Sequence, residues 1–92
     1  MATVFVLIKT DPHGIPEAAQ EIVSVEEVEA VYSVTGKWDL IAVVKAPFED
    51  LADTIPKKIA KVATIHDTET MVAFREYSSA DLEAGFALGL DD

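Results

Sequence analysis

The sequence contains no cysteine and has little positive charge. Without a thiol the chain cannot form a disulfide, which fits a reducing compartment. Seven basic residues stand against 17 acidic ones, for a formal net charge of −10. Such a chain repels phosphate backbones, whose neutralisation dominates affinity for DNA. The only basic cluster is Lys57, Lys58 and Lys61, at the spacing of a solvated helix face. We therefore expect no direct binding to nucleic acid.

Long apolar runs and an amino-terminal targeting signal are missing as well. The run from Val4 to Ile8 is far too short to span a membrane. The first residues, Met1 to Thr3, lack the basic flank of a signal peptide. The 92 residues are 50% hydrophobic, which suffices for one packed core. We expect a single cytoplasmic domain that does not contact membranes.

Catalytic signals are also absent. The sequence has no G-x-S-x-G elbow, no glycine-rich phosphate loop and no H-E-x-x-H motif. His13 lies in a turn of Asp, Pro and Gly, and His66 stands beside Asp67, without the spacing of a metal site. The sequence therefore predicts no catalytic residue, no metal site and no cofactor.

Hydrophobic periodicity predicts six elements in the order βαββαβ, followed by a tail. Strands are expected over Thr3–Lys9, Val28–Thr35, Leu40–Lys45 and Ile65–Tyr77, with helices beginning near Ile15 and Pro47. This order predicts a ferredoxin-like α+β sandwich, in which both helices cover one face of a four-stranded antiparallel sheet.

Three local features add to this plan. Pro56 has no amide hydrogen to donate inside the second helix, which predicts a kink or two short segments there. Ser78 to Asp81 matches a loose capping pattern, so Leu82 and Phe86 would form one side of a short tail helix. The alternation in the second strand predicts one face formed by Val28, Ala30, Tyr32 and Val34.

The first and third strands are apolar on both faces, although the helices cover only one. The other face would expose an apolar patch larger than monomers usually tolerate. A second sheet packed against it would cover the patch, which predicts a homodimer or a larger assembly. The alternative is that the tail folds back over the sheet.

The connection Thr35–Asp39 and the last strand hold the candidate binding residues. Gly36 suits the positive φ of a tight turn, and Trp38 is the single tryptophan, a residue type enriched at interfaces. Asp39 either caps the turn or accepts the ammonium group of a ligand. Thr68 and Thr70 point to the same side of their strand, either as ordinary strand residues or as part of a site.

Together these segments resemble the effector domain of Lrp/AsnC (feast/famine) regulators. Tyr32–Leu40 resembles the family's T-G-x-aromatic-D block, and Ile65 with Thr68 and Thr70 resembles its final strand with a T-x-T pair. The element order is the same, and the resemblance covers roughly residues 2 to 75. It identifies residues 1–77 as a ligand-binding and oligomerisation domain and residues 78–92 as a C-terminal tail.

The resemblance implies a function. Domains of this family form dimers that assemble into octamer-like rings, and bind small effectors, usually amino acids, in clefts between dimers. Carried over by motif, the ligand-binding residues are Gly36, Trp38, Asp39, Thr68 and Thr70. The family's helix-turn-helix is missing before Thr3, so we expect regulation through a partner, such as a full-length Lrp/AsnC regulator, or buffering of a metabolite.

Two other functions are also compatible with the sequence. One is a small monooxygenase or isomerase, which would need an apolar cavity containing His13, His66 or Tyr32. The other is an assembly adaptor that binds no ligand. We favour a non-enzymatic, oligomeric, amino-acid-sensing module because binding motifs are present and catalytic signals are not.

Overall fold

The computed structural model describes residues 1–79, which form one antiparallel sheet covered by helices. The strands are β1 (Ala2–Thr10), β2 (Val28–Ser33), β3 (Leu40–Ala46) and β4 (Ile65–Val72), in the spatial order β2-β3-β1-β4. Helix α1 (Ile15–Val23) connects β1 to β2, and a helical segment within residues 48–59 connects β3 to β4. The predicted ferredoxin-like βαββαβ fold is confirmed.

The core lies between the helices and one face of the sheet. Ala18 and Ile22 of α1 and Ile59 of the second helical segment pack against it. Alternate residues of the two central strands point into this layer and are fully buried: Val4, Val6, Ile8, Leu40, Ala42 and Val44. These two buried strands therefore support the residues at their ends, where the candidate functional site lies.

The predicted disruption at Pro56 takes the form of a widened helical turn. The segment begins as a 3₁₀ turn (Phe48–Asp50), continues as helix α2 (Leu51–Asp53) and becomes a π-helix over Thr54–Ile59. Pro56 has no amide hydrogen for an α-helical bond. The amide of Ala60 instead bonds to the carbonyl of Ile55 at 2.9 Å, the five-residue spacing of a π-helix.

The last strand is shorter than predicted, because β4 pairs with β1 alone. Val72 is opposite Val4, and the amide of Ala73 bonds to the carbonyl of Thr3 at 2.9 Å. Since β1 begins at Ala2, no strand remains beside residues 74–77. The tail helix predicted around Leu82 and Phe86 lies outside the described residues.

The predicted face of β2 is wrong at its first residue. The register between β2 and β3 shifts between Val28 and Ala30. Val28 pairs with Val44 and is buried in the core, whereas Ala30 pairs with Val43 on the opposite face. A bulge of this kind adds a residue to one strand, so the strict alternation that the prediction assumed does not hold.

The side of the sheet away from the helices carries apolar residues, as predicted. Phe5 pairs with Val43 on one side and with Met71 on the other, and Leu7 pairs with Ile41. Tyr32 and Met71 are about half exposed, at 56% and 45%. We call this surface the open face; its large apolar residues are Phe5, Leu7, Tyr32, Ile41, Val43 and Met71.

Candidate functional site

The turn between β2 and β3 requires glycine at position 36. Gly36 has a φ of +106°, which side chains rarely adopt, and is the positive-φ residue found within residues 1–79. A Cβ atom there would meet no other atom within 4 Å, so the requirement comes from the backbone and not from packing. The prediction of a positive φ is confirmed, and the backbone is open on that side.

Asp39 attaches this turn to the end of β1. Its Oδ2 accepts a hydrogen bond from the amide of Thr10 at 3.0 Å, and its own amide donates to the carbonyl of Ile8 at 2.9 Å. The Nζ of Lys9 adds a bond to the carbonyl of Lys37 at 2.9 Å. Asp39 therefore caps the end of the neighbouring strand β1 and holds the turn against it.

Trp38 adds an aromatic surface to the turn. Its side chain is half-buried and is not part of the buried core cluster. The ammonium of Lys37 lies 5.8 Å from the centre of its ring, within the range of a cation–π contact. The turn thus carries an indole ring two residues after the accessible backbone of Gly36.

The two threonines of β4 lie on the face of the sheet that carries the helices, and Thr68 is the one at the end where the turn lies. Ile8 pairs with Leu40 on one side and with Thr68 on the other, so β1 separates Thr68 from the turn. Two strand spacings put the backbone of Leu40, next to the turn, and that of Thr68 roughly 10 Å apart. Thr70 pairs with Val6, further from the turn. The structure brings Asp39 and Thr68 to one end, and a ligand that contacts both would have to span β1.

The sequence interpretation missed a second contact at this end. His66 Nε2 hydrogen-bonds to Asp11 Oδ1, and the amide of Asp11 donates to the carbonyl of Thr64 at 3.1 Å. These bonds tie the start of β4 to the end of β1. Asp11 and His66 are 55 residues apart in the chain, and no local motif indicates their contact.

Threonine hydroxyls form a third feature of this end of the sheet. Thr10 is 3% exposed, and its Oγ1 has no hydrogen-bond partner within residues 1–79. The same holds for the buried Oγ1 of Thr64. Buried hydroxyls are normally paired. Two of the four buried side-chain oxygens without a partner within residues 1–79 therefore lie near the junction of β1 and β4, whereas the other two, Glu27 Oε1 and Thr54 Oγ1, lie elsewhere.

The basic cluster of the second helical segment is largely neutralised by ion pairs. Lys57 lies 3.1 Å from Asp53, and Lys58 lies 2.9 Å from Glu27. The hydrogen bond from Lys58 lowers the pKa of the Glu27 carboxyl and raises the pKa of the Lys58 ammonium. This arrangement matches a solvated helix face and offers few free cations to a phosphate backbone.

Two open grooves lie away from the turn. One, of about 370 Å³, is lined by residues at the start of β1 and after the end of β4. The other, of about 410 Å³, lies beside the end of α1 and includes Lys58 and Lys61. Neither is lined by His13, His66 or Tyr32, the residues that the enzyme alternative requires.

Within residues 1–79, no group of three or more histidine, cysteine or acidic residues could hold a metal ion. No helix in this part of the chain is long and apolar enough to cross a membrane.

Known proteins resemble this chain in sequence over most of its length. The model of the Lrp/AsnC ligand binding domain matches residues 3–82. An uncharacterized HTH-type transcriptional regulator of Pyrococcus furiosus is 34% identical over 76 residues, covering 78% of this chain and 51% of that protein. The chain therefore spans about half the length of the curated relatives it matches.

Solved structures agree with this result. The crystal structure of TTHA0845 from Thermus thermophilus is 37% identical and superposes with a TM-score of 0.80, covering 85% of this chain and 99% of that one. AsnC of E. coli, at 23% identity, shares the fold with a TM-score of 0.79 over 84% of this chain and 53% of its own. The matched domain, the βαββαβ order and the anchored glycine turn lead to one assignment: the chain belongs to the Lrp/AsnC ligand-binding domain family.

Proposed function

We propose that this domain senses a small effector, with amino acids as the first candidates, and acts in transcriptional regulation as an oligomer. The effector would bind where the β2–β3 turn, the end of β1 and the start of β4 meet. Residues 1–77 would form the sensing and oligomerisation domain and residues 78–92 its tail. The ligand-binding residues would be Gly36, Trp38, Asp39, Thr68 and Thr70.

The observation that carries this proposal is the anchoring of the Gly36 turn by Asp39. Hydrogen bonds to Thr10 and Ile8 hold the turn in place before any ligand arrives, which lowers the ordering cost of binding. Backbone groups, a carboxylate and threonine hydroxyls complement the ammonium and carboxylate groups of an amino acid. A structural neighbour, a transcriptional regulator of Neisseria meningitidis, was crystallised as a complex with L-Met, which supports starting with amino acids.

The open face supports the oligomeric part of the proposal. Phe5, Val43 and Met71 stand side by side without a covering layer within residues 1–79. Packing two such faces together would remove these side chains from water, as in a sandwich of two sheets. We propose that dimers form in this way and assemble into an octamer-like ring, with effector clefts between dimers.

Regulation would then depend on a partner. The net charge of −10 and the paired lysines oppose direct DNA contact. A full-length Lrp/AsnC regulator in the cytoplasm is the candidate partner, because a shared domain allows mixed assemblies. Buffering of a metabolite is the other way in which such a module would act.

The first experiment is a thermal-shift panel of the twenty amino acids. At about 10 mM, a ligand with a dissociation constant near 1 mM stabilises the folded state by roughly 1.4 kcal/mol and moves the midpoint by several degrees. A shift confined to a few amino acids that disappears in Thr68→Val supports sensing at this site. Thr3→Val, at the opposite end of β1 from the turn, serves as a matched control.

One observation favours a second candidate, the assembly adaptor without a ligand. Both open grooves lie away from the turn, and neither is lined by Asp39 or Thr68. The adaptor predicts an oligomer of normal stability and no thermal shift with any amino acid.

A further inference from the structure

Two adjacent residues at the end of β1 hold both sides of the proposed effector site. On the side of the β2–β3 turn, the amide of Thr10 donates to the carboxylate of Asp39. On the other side, the carboxylate of Asp11 contacts the ring of His66 at the start of β4. These contacts link the strand that carries Thr68 to the turn that carries Asp39, so they influence how far apart the two residues lie.

A β-bulge sets His66 apart from the regular pairing of β4 with β1. Lys9 pairs with Asp67, but the next residue, Thr10, pairs with Ile65, so His66 is the extra residue of β4. Bulges re-aim side chains and are common beside functional sites. The irregularity therefore allows the ring of His66 to contact a group beyond the end of the paired strand.

The carboxylate of Asp11 is not used in the way its position suggests. Asp11 immediately precedes the 3₁₀ turn Pro12–Gly14, where an aspartate usually caps the amides of its own turn. Its side chain makes no such bond, and its backbone carbonyl instead accepts the amide of Gly14 at 3.0 Å. The turn is thus closed by the backbone, and the carboxylate contacts His66, 55 residues away.

We propose that Asp11 and His66 form a proton-dependent clamp, which positions the start of β4, and with it Thr68, against the end of β1. The inference rests on the proposed function, because it treats Thr68 as part of the effector site. Histidine is the side chain that ordinarily changes charge between about pH 5 and 8. Protonation places a cation beside the Asp11 carboxylate, so the clamp tightens as the pH falls through this range.

Other ionisable groups surround the clamp and bear on its response to pH. The elements that meet here also carry Lys9, His13, Lys37, Asp39, Asp67 and Glu69. Lys9 and Asp39 bond to backbone groups, and Asp67 accepts the amide of Thr68 at 2.9 Å. The carboxylate of Asp67, next to His66 in the chain, favours a protonated ring as Asp11 does. His13 is the other histidine of the sequence, so it is the group to control for.

Amide hydrogen exchange in the full chain measures the clamp without any ligand. The amide of Asp11 donates to the carbonyl of Thr64 at 3.1 Å and therefore reports on the join between β1 and β4. Both side chains of the clamp are more than half exposed, so its effect should be that of a surface ion pair. After correction for intrinsic rates, we expect about two- to fivefold higher protection of this amide at about pH 5.5 than at about pH 7.5.

Three variants assign this pH dependence to the clamp. His66→Gln should remove it, and His13→Gln, which changes the other histidine, should keep it. Asp11→Asn should also remove it, because the amide side chain keeps an acceptor oxygen but carries no charge. Equal protection at both pH values in the wild type, or a wild-type pH dependence in His66→Gln, would overturn the proposal.

The effect on the effector site has a separate readout. With the amino acid that gives the largest thermal shift, the dissociation constant of the wild type should be about two- to fivefold lower at about pH 5.5 than at about pH 7.5. In His66→Gln it should not change with pH, and an identical pH dependence in the two proteins would overturn the positioning role. If exchange showed the clamp but no amino acid gave a thermal shift, the clamp would be supported and the proposed function contradicted.

Discussion

Replacing Asp39 with alanine removes the acceptor that holds the turn against β1. The carboxylate accepts the amide of Thr10, a residue that is 3% exposed. Without Asp39 this partly buried amide loses its partner. An unsatisfied buried donor costs about 1–3 kcal/mol. We therefore expect Asp39→Ala to lower the free energy of unfolding by about 2 kcal/mol.

Urea denaturation followed by Trp38 fluorescence measures this loss, with every variant at the same protein concentration because oligomerisation contributes to stability. Asp39→Asn should recover part of the loss, since its amide oxygen still accepts a hydrogen bond. Glu17→Ala is the control, because it removes the same charge from an exposed helix position. If Asp39→Ala were as stable as Glu17→Ala, the anchoring role of Asp39 would be refuted.

Three further predictions concern other parts of the molecule. Gly36→Val should destabilise the fold by about 1–2 kcal/mol in the same assay, since valine is strained at positive φ; an unchanged midpoint would contradict the requirement for glycine. The hydrogen bond from Lys58 lowers the pKa of Glu27. Their ion pair should therefore stabilise the fold at pH values above the ordinary pKa of a glutamate, and this stabilisation should be lost as the pH falls through the folded-state pKa. The stability difference between wild type and Glu27→Gln should therefore shrink on acidification to about pH 3, and a constant difference would argue against the pair. Leu7→Glu on the open face should convert dimers to monomers in sedimentation velocity, whereas Glu69→Gln, at the position that pairs with Leu7, should not.

The fold could be predicted from the sequence because its main signals are local. The alternation in β1, where every second residue from Val4 to Ile8 is buried, fixes which face meets the helices. The apolar residues on the other side of the same strand predicted the open face. Gly36 and its positive φ followed from turn chemistry alone.

The remaining features depend on contacts between distant segments. The bulge in β2 between Val28 and Ala30 arises from its pairing with β3, and periodicity within one strand cannot reveal it. The end of β4 is set by where β1 begins. In the same way, the bond of Asp39 to Thr10 crosses 29 residues, so the sequence left capping and ligand binding open as alternatives.

The central claim is that an amino acid binds where the Gly36 turn, the end of β1 and the start of β4 meet. Backbone amide shifts test it most directly, by titrating the ¹⁵N-labelled full chain with the amino acid that gives the largest thermal shift. The account predicts saturable shifts concentrated in residues 35–39 and 66–70, and their loss in Thr68→Val. Shifts confined to the groove beside Lys58 and Lys61, or no saturable shifts with any of the twenty amino acids, would contradict it.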